Sequence, residues 1–559
     1  MFSFLYIAFT VISILLASST FADPDVSQFK VDSLPGGPPL PPSWAGRLPV
    51  PGAEPGNALF FWLFQAEDSV YDDNLIIWLN GGPGCTSLIG LTTGNGPFYF
   101  DNNSTRLVAN PYSWTKLGHV LYVDQPVGTG YSTASQPYPA VDNEIVTTHF
   151  YNWLQSFFAH FPHLLRKQVH LMGESWAGIY IPHFATAIVN NEGSFQIRLR
   201  SMTIGDGSIG NGAAMATATM GTYLESQKSL LQIPDDVLAV FKEADASCGF
   251  DDILEQAAQF PPGGKISIPG NPEGLNTKHR RQHRMSRDLG DIYAGTCATN
   301  PAIAEEVRSS IYSSCYGPCA TYSAATDYLT TIFSPCFDLY DISHDCSTIN
   351  SFNLVASYFS RPEVQTALNA LPSASTSPSV TEDNPDDSQR QTPSPFLSCN
   401  PDILSTLLLG GQTPQAPVYS VLPNLVTSHN ISLHLYWGEY DILLNHFGAE
   451  LILQNMTWHG AQGFSSPITR PFYQDNAAPH DPDPRGSSSS SKNQNNNNNN
   501  NPGTCAIPEA GKWISERGVT YHRFRGAGHS VFLSKPREMF AYVRDVVVAG
   551  DTVHARCCK

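Results

Sequence analysis

A serine set between small residues, in Gly173-Glu174-Ser175-Trp176-Ala177-Gly178, follows the apolar run Val169-His170-Leu171-Met172 and leads into Ile179-Tyr180-Ile181-Pro182-His183-Phe184-Ala185. A short strand, a tight turn and a helix in that order form a nucleophile elbow, in which the serine sits on a strained turn. Flanking side chains would collide there, so Gly173 and Ala177 hold the small positions. An inert serine fits such a turn equally well. Its meaning depends on a base, an acid and an oxyanion site occurring in the chain order Ser…Asp/Glu…His.

The surrounding pattern says what kind of sheet carries the turn. Ala58–Gln65, Leu75–Leu79, Val120–Val123, Val169–Met172 and Ser201–Ile204 read as short strands, and Phe150–Phe161 has helical spacing and stops at Pro162. Strands alternating with helices predict a largely parallel, doubly wound α/β sheet. The character changes near Asn211: residues 213–350 are helix-like, cysteine-rich and broken by Pro261-Pro262-Gly263-Gly264, as an inserted cap would be. Strands are expected again at Val418–Leu422, Ile431–Tyr436 and Val519–Phe524, with a closing helix over Pro536–Val548. The core is thus expected in two parts, 23–212 and 351–559. Two low-complexity stretches, 371–395 and 486–501, lack the apolar surface to offset the entropy of ordering and are expected to be surface loops.

The first residues are apolar through Leu16-Ala17, turn small at Ser18-Ser19-Thr20-Phe21-Ala22 and meet Asp23, which reads as a secretory signal over 1–22 despite lacking a basic start. No later run has the length or apolarity of a membrane span, and the tail is not a lipidation box, so no membrane anchor is expected. Secretion is the expected destination, with a vacuole-like compartment as the alternative. In that setting the 11 cysteines imply disulfides with one thiol left over or paired between chains, and Cys315 and Cys319 read as bridge partners before zinc ligands. Neither metal nor cofactor is expected. Sequons at Asn102, Asn103, Asn430 and Asn455 fit N-glycosylation. With 49 acidic against 31 basic residues, the formal net charge of −18 argues against a nucleic-acid partner. The basic cluster Lys278-His279-Arg280-Arg281-Gln282-His283-Arg284 reads as a solvated loop, with a protease-processing site as the sharper alternative.

The missing partners of Ser175 can be sought in the expected order. Arg525-Gly526-Ala527-Gly528-His529 offers a histidine after a strand, with two glycines that let its ring project. Leu433-His434-Leu435-Tyr436-Trp437-Gly438-Glu439-Tyr440-Asp441 ends a strand with two carboxylates, and spacing does not choose between Glu439 and Asp441. Upstream, Ile76-Ile77-Trp78-Leu79-Asn80-Gly81-Gly82-Pro83-Gly84-Cys85 ends another strand in a glycine-rich turn, where backbone N–H groups can form an oxyanion hole. A phosphate cradle is disfavoured, since no Lys-Ser/Thr follows and the proline removes a donor.

The Trp78–Cys85 and Gly173–Gly178 blocks resemble the two signature blocks of serine carboxypeptidases, peptidase family S10, which have the α/β-hydrolase fold. Asn110-Pro111-Tyr112-Ser113-Trp114, Asp124-Gln125-Pro126-Val127-Gly128, Gly210-Asn211-Gly212, Arg361–Leu368, Gly438–Asp441 and Gly526–His529 agree with the family in order. The resemblance runs from about residue 40 to 548, apart from the low-complexity stretches and part of the cap. It implies Ser175 as nucleophile, His529 as general base, Asp441 as the orienting acid, and the N–H groups of Gly81 and Trp176 as the oxyanion hole. It implies that Asn80 and Glu174, supported by Trp78, bind the substrate's C-terminal carboxylate, and that Cys85 is tied to a distant cysteine, with Cys399 the best candidate. Peptide or protein C-termini would be the substrates, released through an acyl-enzyme.

A carboxylate at 174 facing a substrate carboxylate repels it unless one of the two is protonated, so activity is expected to be best at acidic pH. Three places depart from the family pattern. Gly94 stands where a glutamate often hydrogen-bonds the carboxylate-binding one, Leu444 where a cysteine is often found, and Ser530-Val531-Phe532 where Met-Val-Pro is usual. They lie near elements that meet the leaving amino acid, which implies altered leaving-group preference with the triad intact. Acyl transfer or ester hydrolysis is the alternative reaction, and a catalytically silent binding protein the alternative class.

Overall fold

A computed structural model describes residues 24–267 except 102 and 103, 300–344 except 315, 351–371, 396–409, 416–473 and 508–550. The expected signal over 1–22, the basic cluster at 278–284, the stretch 486–501 and nearly all of 371–395 lie outside these residues.

Eleven strands form one sheet. In chain order they are β1 (Lys30–Val31), β2 (Ser43–Pro49), β3 (Ala58–Phe64), β4 (Asn74–Leu79), β5 (His119–Asp124), β6 (Gln168–Glu174), β7 (Leu199–Gly205), β8 (Ser432–Gly438), β9 (Arg470–Tyr473), β10 (Glu509–Glu516) and β11 (Val519–Phe524). Across the sheet the order is β1-β2-β3-β5-β4-β6-β7-β8-β11-β10-β9. The six strands from β5 to β11 in that order are parallel, and the pairs outside them are antiparallel.

The parallel strands are buried on both faces, which explains their unbroken apolar runs. Along β4, Leu75, Ile77 and Leu79 pack into one core with helix α1 (Asn143–His160) and helix α2 (Ala177–Asn190). Ile76 and Trp78 point to the opposite core with Trp114 and Phe532. On the first face the rings of Phe150 and Phe184 stack 4.0 Å apart, joining α1 to α2. The Asp142 side chain accepts from Ile145 N at 2.9 Å, so α1 begins well before the aromatic stretch that reveals it in the sequence.

Between β7 and β8 the chain builds helices at Met220–Ser226, Asp235–Cys248, Phe250–Ala257, Ala304–Ile311 and Thr321–Ile332, several of which share a separate core around Phe241 and Leu329. The Cys248–Cys319 disulfide joins two of its parts. Val418–Leu422 is not a strand: it falls across a 3-10 turn, Pro417–Tyr419, and the helix Leu422–Thr427. Pro417 and Pro423 occupy first-turn positions, where the missing N–H costs nothing, and those prolines outweigh the apolar run.

Candidate active site

The site lies at the carboxyl ends of the parallel strands, where α/β sheets gather ligands. Ser175 follows β6 directly, at φ 61°. Three main-chain bonds hold this left-handed conformation: Ser175 N donates to Gly205 O, and Gly178 N and Ser208 N donate to Ser175 O, each at 2.9 Å. The small residues of the hexapeptide now have reasons. A Cβ on Gly173 would lie 2.2 Å from Leu79 O and 2.7 Å from Ala177 Cβ, and one on Gly178 would lie 2.7 Å from Ser208 N.

The glycine loop after β4 comes up against the elbow. A Cβ on Gly81 would stand 2.4 Å from Trp176 N and 2.8 Å from Ser175 Cβ, so only glycine brings the two backbones together. That loop is anchored from a distant part of the chain. Cys85 is bonded to Cys399, Thr86 N donates to Ser398 O at 2.8 Å, and Asn400 N donates to Gly84 O at 2.9 Å.

His529 and the acid come from β11 and β8. Gly438 permits their loops to cross, since a Cβ there would meet Gly528 O at 2.2 Å and Ala527 O at 2.4 Å. His529 Nδ1 and Asp441 Oδ2 are 2.7 Å apart, and Asp441 is fully buried. Glu439 turns elsewhere, accepting from Gly526 N at 3.3 Å and lying 3.5 Å from Arg523 Nε. Burial works against the charged imidazole, but the Asp441 carboxylate outweighs it and raises the His529 pKa. His529 Nε2 is buried and makes no hydrogen bond to any described residue. Its backbone N–H donates to Tyr340 O at 2.7 Å, and the Tyr340 ring meets the imidazole edge-on at 5.1 Å.

Strand register explains why Trp78, Asn80 and Glu174 share one face. Trp78 pairs with Met172 and Leu79 with Gly173 on adjacent strands, which sets Asn80 opposite Glu174. Trp78 Nε1 and Gly90 N donate to Asn80 Oδ1 at 2.8 and 3.1 Å, so Asn80 Nδ2 is left to donate to Glu174 Oε1 at 3.0 Å. Gly90 is small because a Cβ would lie 2.3 Å from Trp78 Nε1. Glu174 is 4% exposed, and burial pushes its pKa up to about 7, restrained by the charge of His529 and by hydrogen bonds from Ser530 and Asn80.

Asp206 escapes sequence reasoning. It directly follows β7, the strand between those that lead to Ser175 and Asp441, and is fully buried at φ 42°. Carboxylate oxygens of Asp206 and Asp441 and a ring nitrogen of His529 lie within 4.8 Å of one another. Burial and the Asp441 carboxylate push the Asp206 pKa far up, while Gly438 N donates to its Oδ1 at 2.9 Å. Gly205-Asp206-Gly207, a carboxyl between glycines at a strand end, was the available signal.

The serine carboxypeptidase family model matches residues 37–549. A carboxypeptidase Y homolog of Arthroderma benhamiae is 41% identical over 527 residues, 94% of each chain. The chain belongs to the serine carboxypeptidase family. Carboxypeptidase sxa2 of Schizosaccharomyces pombe is 28% identical over 436 residues, 76% of each chain. The crystal structure of Kex1(delta)p, a prohormone-processing carboxypeptidase from Saccharomyces cerevisiae, matches with a TM-score of 0.63 at 21% identity, over 94% of this chain and 96% of that one, a likeness of fold. This carboxypeptidase has the α/β-hydrolase fold and is a serine-type hydrolase of peptides; its family supports that activity over acyl transfer or a silent binding role.

The sequons divide. Asn430 is exposed, and Asn102 and Asn103 lie outside the described residues. Asn455 is 8% exposed, with its amide accepting from Ile266 N and donating to Ile266 O, both at 2.9 Å. A glycan on Asn455 would require these two bonds to open.

Proposed function

We propose that this carboxypeptidase removes single amino acids from peptide C-termini with Ser175 as nucleophile, His529 as general base and Asp441 as its orienting acid. Ser175 Oγ attacks the last peptide carbonyl while His529 Nε2 takes its proton. The N–H groups of Gly81 and Trp176 receive the oxyanion. Collapse breaks the C–N bond, His529 returns the proton to the leaving nitrogen, and an acyl ester remains on Ser175. Water, deprotonated by His529, hydrolyses that ester and frees the shortened peptide. Asp441, held on Nδ1, keeps Nε2 as the proton acceptor and stabilises the imidazolium.

The observation that carries the exopeptidase reading is the Trp78–Asn80–Glu174 hydrogen-bonded chain beside Ser175. A C-terminal carboxylate there can accept from the second N–H of Asn80 Nδ2 and from the O–H of a protonated Glu174. An ionised Glu174 would repel it.

Two protonation states are therefore needed together, a neutral His529 and a protonated Glu174. As pH rises through about 7, Glu174 ionises and peptide affinity falls. As pH falls through the raised pKa of His529, the base is lost. Peptide hydrolysis should follow a bell, while an ester without a terminal carboxylate should rise with His529 and hold its plateau. Comparing kcat/KM for an N-blocked dipeptide and the matching ester between about pH 4 and 9 tests this. Parallel profiles would remove Glu174 from carboxylate recognition, and Glu174→Gln should extend peptide cleavage to higher pH.

The favoured compartment is the secretory pathway, with secretion first and a vacuole-like site as the alternative. The signal-like start and the bridged cysteines support it. Among the described residues no helix is long and apolar enough to cross a membrane.

A further inference from the structure

Two departures from the family pattern, Gly94 and Ser530-Val531-Phe532, meet each other, and the second reaches Glu174. The Ser530 hydroxyl donates to Glu174, 3.1 Å from Oε2 and 3.3 Å from Oε1. Ser530 is also the N-cap of the short helix Val531–Ser534, where a serine side chain ordinarily accepts from a first-turn N–H. It makes no such cap bond, so its hydroxyl serves Glu174 and not the helix.

Two residues further on, Phe532 explains Gly94. A Cβ at 94 would lie 2.6 Å from Phe532 O and 3.1 Å from its ring, which packs edge-on against Trp78 at 5.2 Å. The φ of Gly94, 164°, is extended backbone open to any residue, so space alone excludes a side chain. With Phe532 in place a side chain at position 94 has no room, and the histidine loop supplies a hydrogen bond to Glu174.

We propose that Ser530 is a positioning residue for peptide hydrolysis: by bonding Glu174 from the histidine loop, it sets the pH range over which peptides, but not esters, are cleaved. This rests on the reading of Glu174 as a carboxylate-binding group. The other groups acting on Glu174 are Asn80 from the oxyanion loop, His529 and Asp441 of the triad, Asp206 at the end of β7 and Tyr436 on β8. All remain when Ser530 is changed. A donated O–H stabilises the ionised carboxylate more than the acid, so its removal raises the pH at which Glu174 ionises.

Ser530→Ala should move the alkaline limb of peptide kcat/KM upward by about one pH unit, as expected for loss of a hydrogen bond to a charged group. The ester profile should stay in place, the change should appear in KM, and Ser530→Thr, which keeps the hydroxyl, should restore the wild-type limb. Superimposable peptide profiles for wild type and Ser530→Ala overturn the proposal. So does an equal shift with the ester, which would place the effect on His529. Glu174→Gln separates the two failures. If it leaves the peptide limb intact, the carboxylate-binding reading falls and the proposal with it. If it removes the limb while Ser530→Ala shifts nothing, only the role of Ser530 falls.

Discussion

Ser175 and Glu174, proposed as nucleophile and carboxylate reader, are neighbours in sequence, yet they are held by different means. Ser175 is fixed by main-chain bonds to Gly205, Gly178 and Ser208 and by glycines that admit no side chain. Glu174 is fixed by side chains from two separate loops, Asn80 and Ser530. Main-chain restraints tolerate many sequences provided the small residues stay. Side-chain restraints change with single substitutions. Among the departures Ser530 falls on the second kind, Gly94 and Phe532 pack against each other beside it, and the elbow carries none.

The largest test of that contrast is Ser175→Ala, which should abolish peptide and ester hydrolysis alike, by about 10⁴-fold or more, and prevent labelling by a phosphonofluoridate. Residual turnover of one substrate class alone would break the idea of a common nucleophile. Asn80→Ala comes next. Loss of its bonds should raise peptide KM by about 10- to 100-fold and leave ester KM within about 3-fold, as measured by initial rates. Equal losses would move Asn80 from recognition to chemistry.

Smaller effects sharpen the boundary. Gly94→Ala places a Cβ 2.6 Å from a carbonyl oxygen, which cannot swing aside as a flexible side chain would. A loss of about 1–3 kcal/mol is expected, visible as a Tm lowered by a few degrees with the triad chemistry retained. The smallest effect is expected for Asp206→Asn. Asparagine tolerates the left-handed backbone and keeps an oxygen that can accept from Gly438 N. Activity should stay within about 3-fold, and the acid limb of ester hydrolysis should not move. A downward shift of that limb by about one pH unit would show a charge on Asp206 beside the triad.

Sequence reasoning reached the parts of this molecule that depend on local pattern. Apolar runs marked the parallel strands because both sheet faces are buried, and the Gly173–Gly178 turn was visible because close packing demands small residues. It failed where a long-range partner decides. Ser530 stands out in the sequence only as a departure from the family pattern, and its bond to Glu174 appears once the fold brings the two together across the strand ends. Val418–Leu422 has the apolarity of a strand, and the prolines around it decide otherwise. Choosing Asp441 over Glu439 needed the resemblance, since only the crossing of two loops at Gly438 distinguishes them physically.

The Cys248–Cys319 bridge closes over a separation of 71 residues, and the basic cluster at 278–284 lies between its ends. A backbone cut in that cluster would leave Ser175 on one polypeptide and both Asp441 and His529 on the other. The pieces would remain one covalent molecule, tied here and again by Cys85–Cys399. They would also remain one sheet, because the cut falls between β7 and β8, which pair side by side. A chain severed there would keep Ser175, Asp441 and His529, the proposed triad, together.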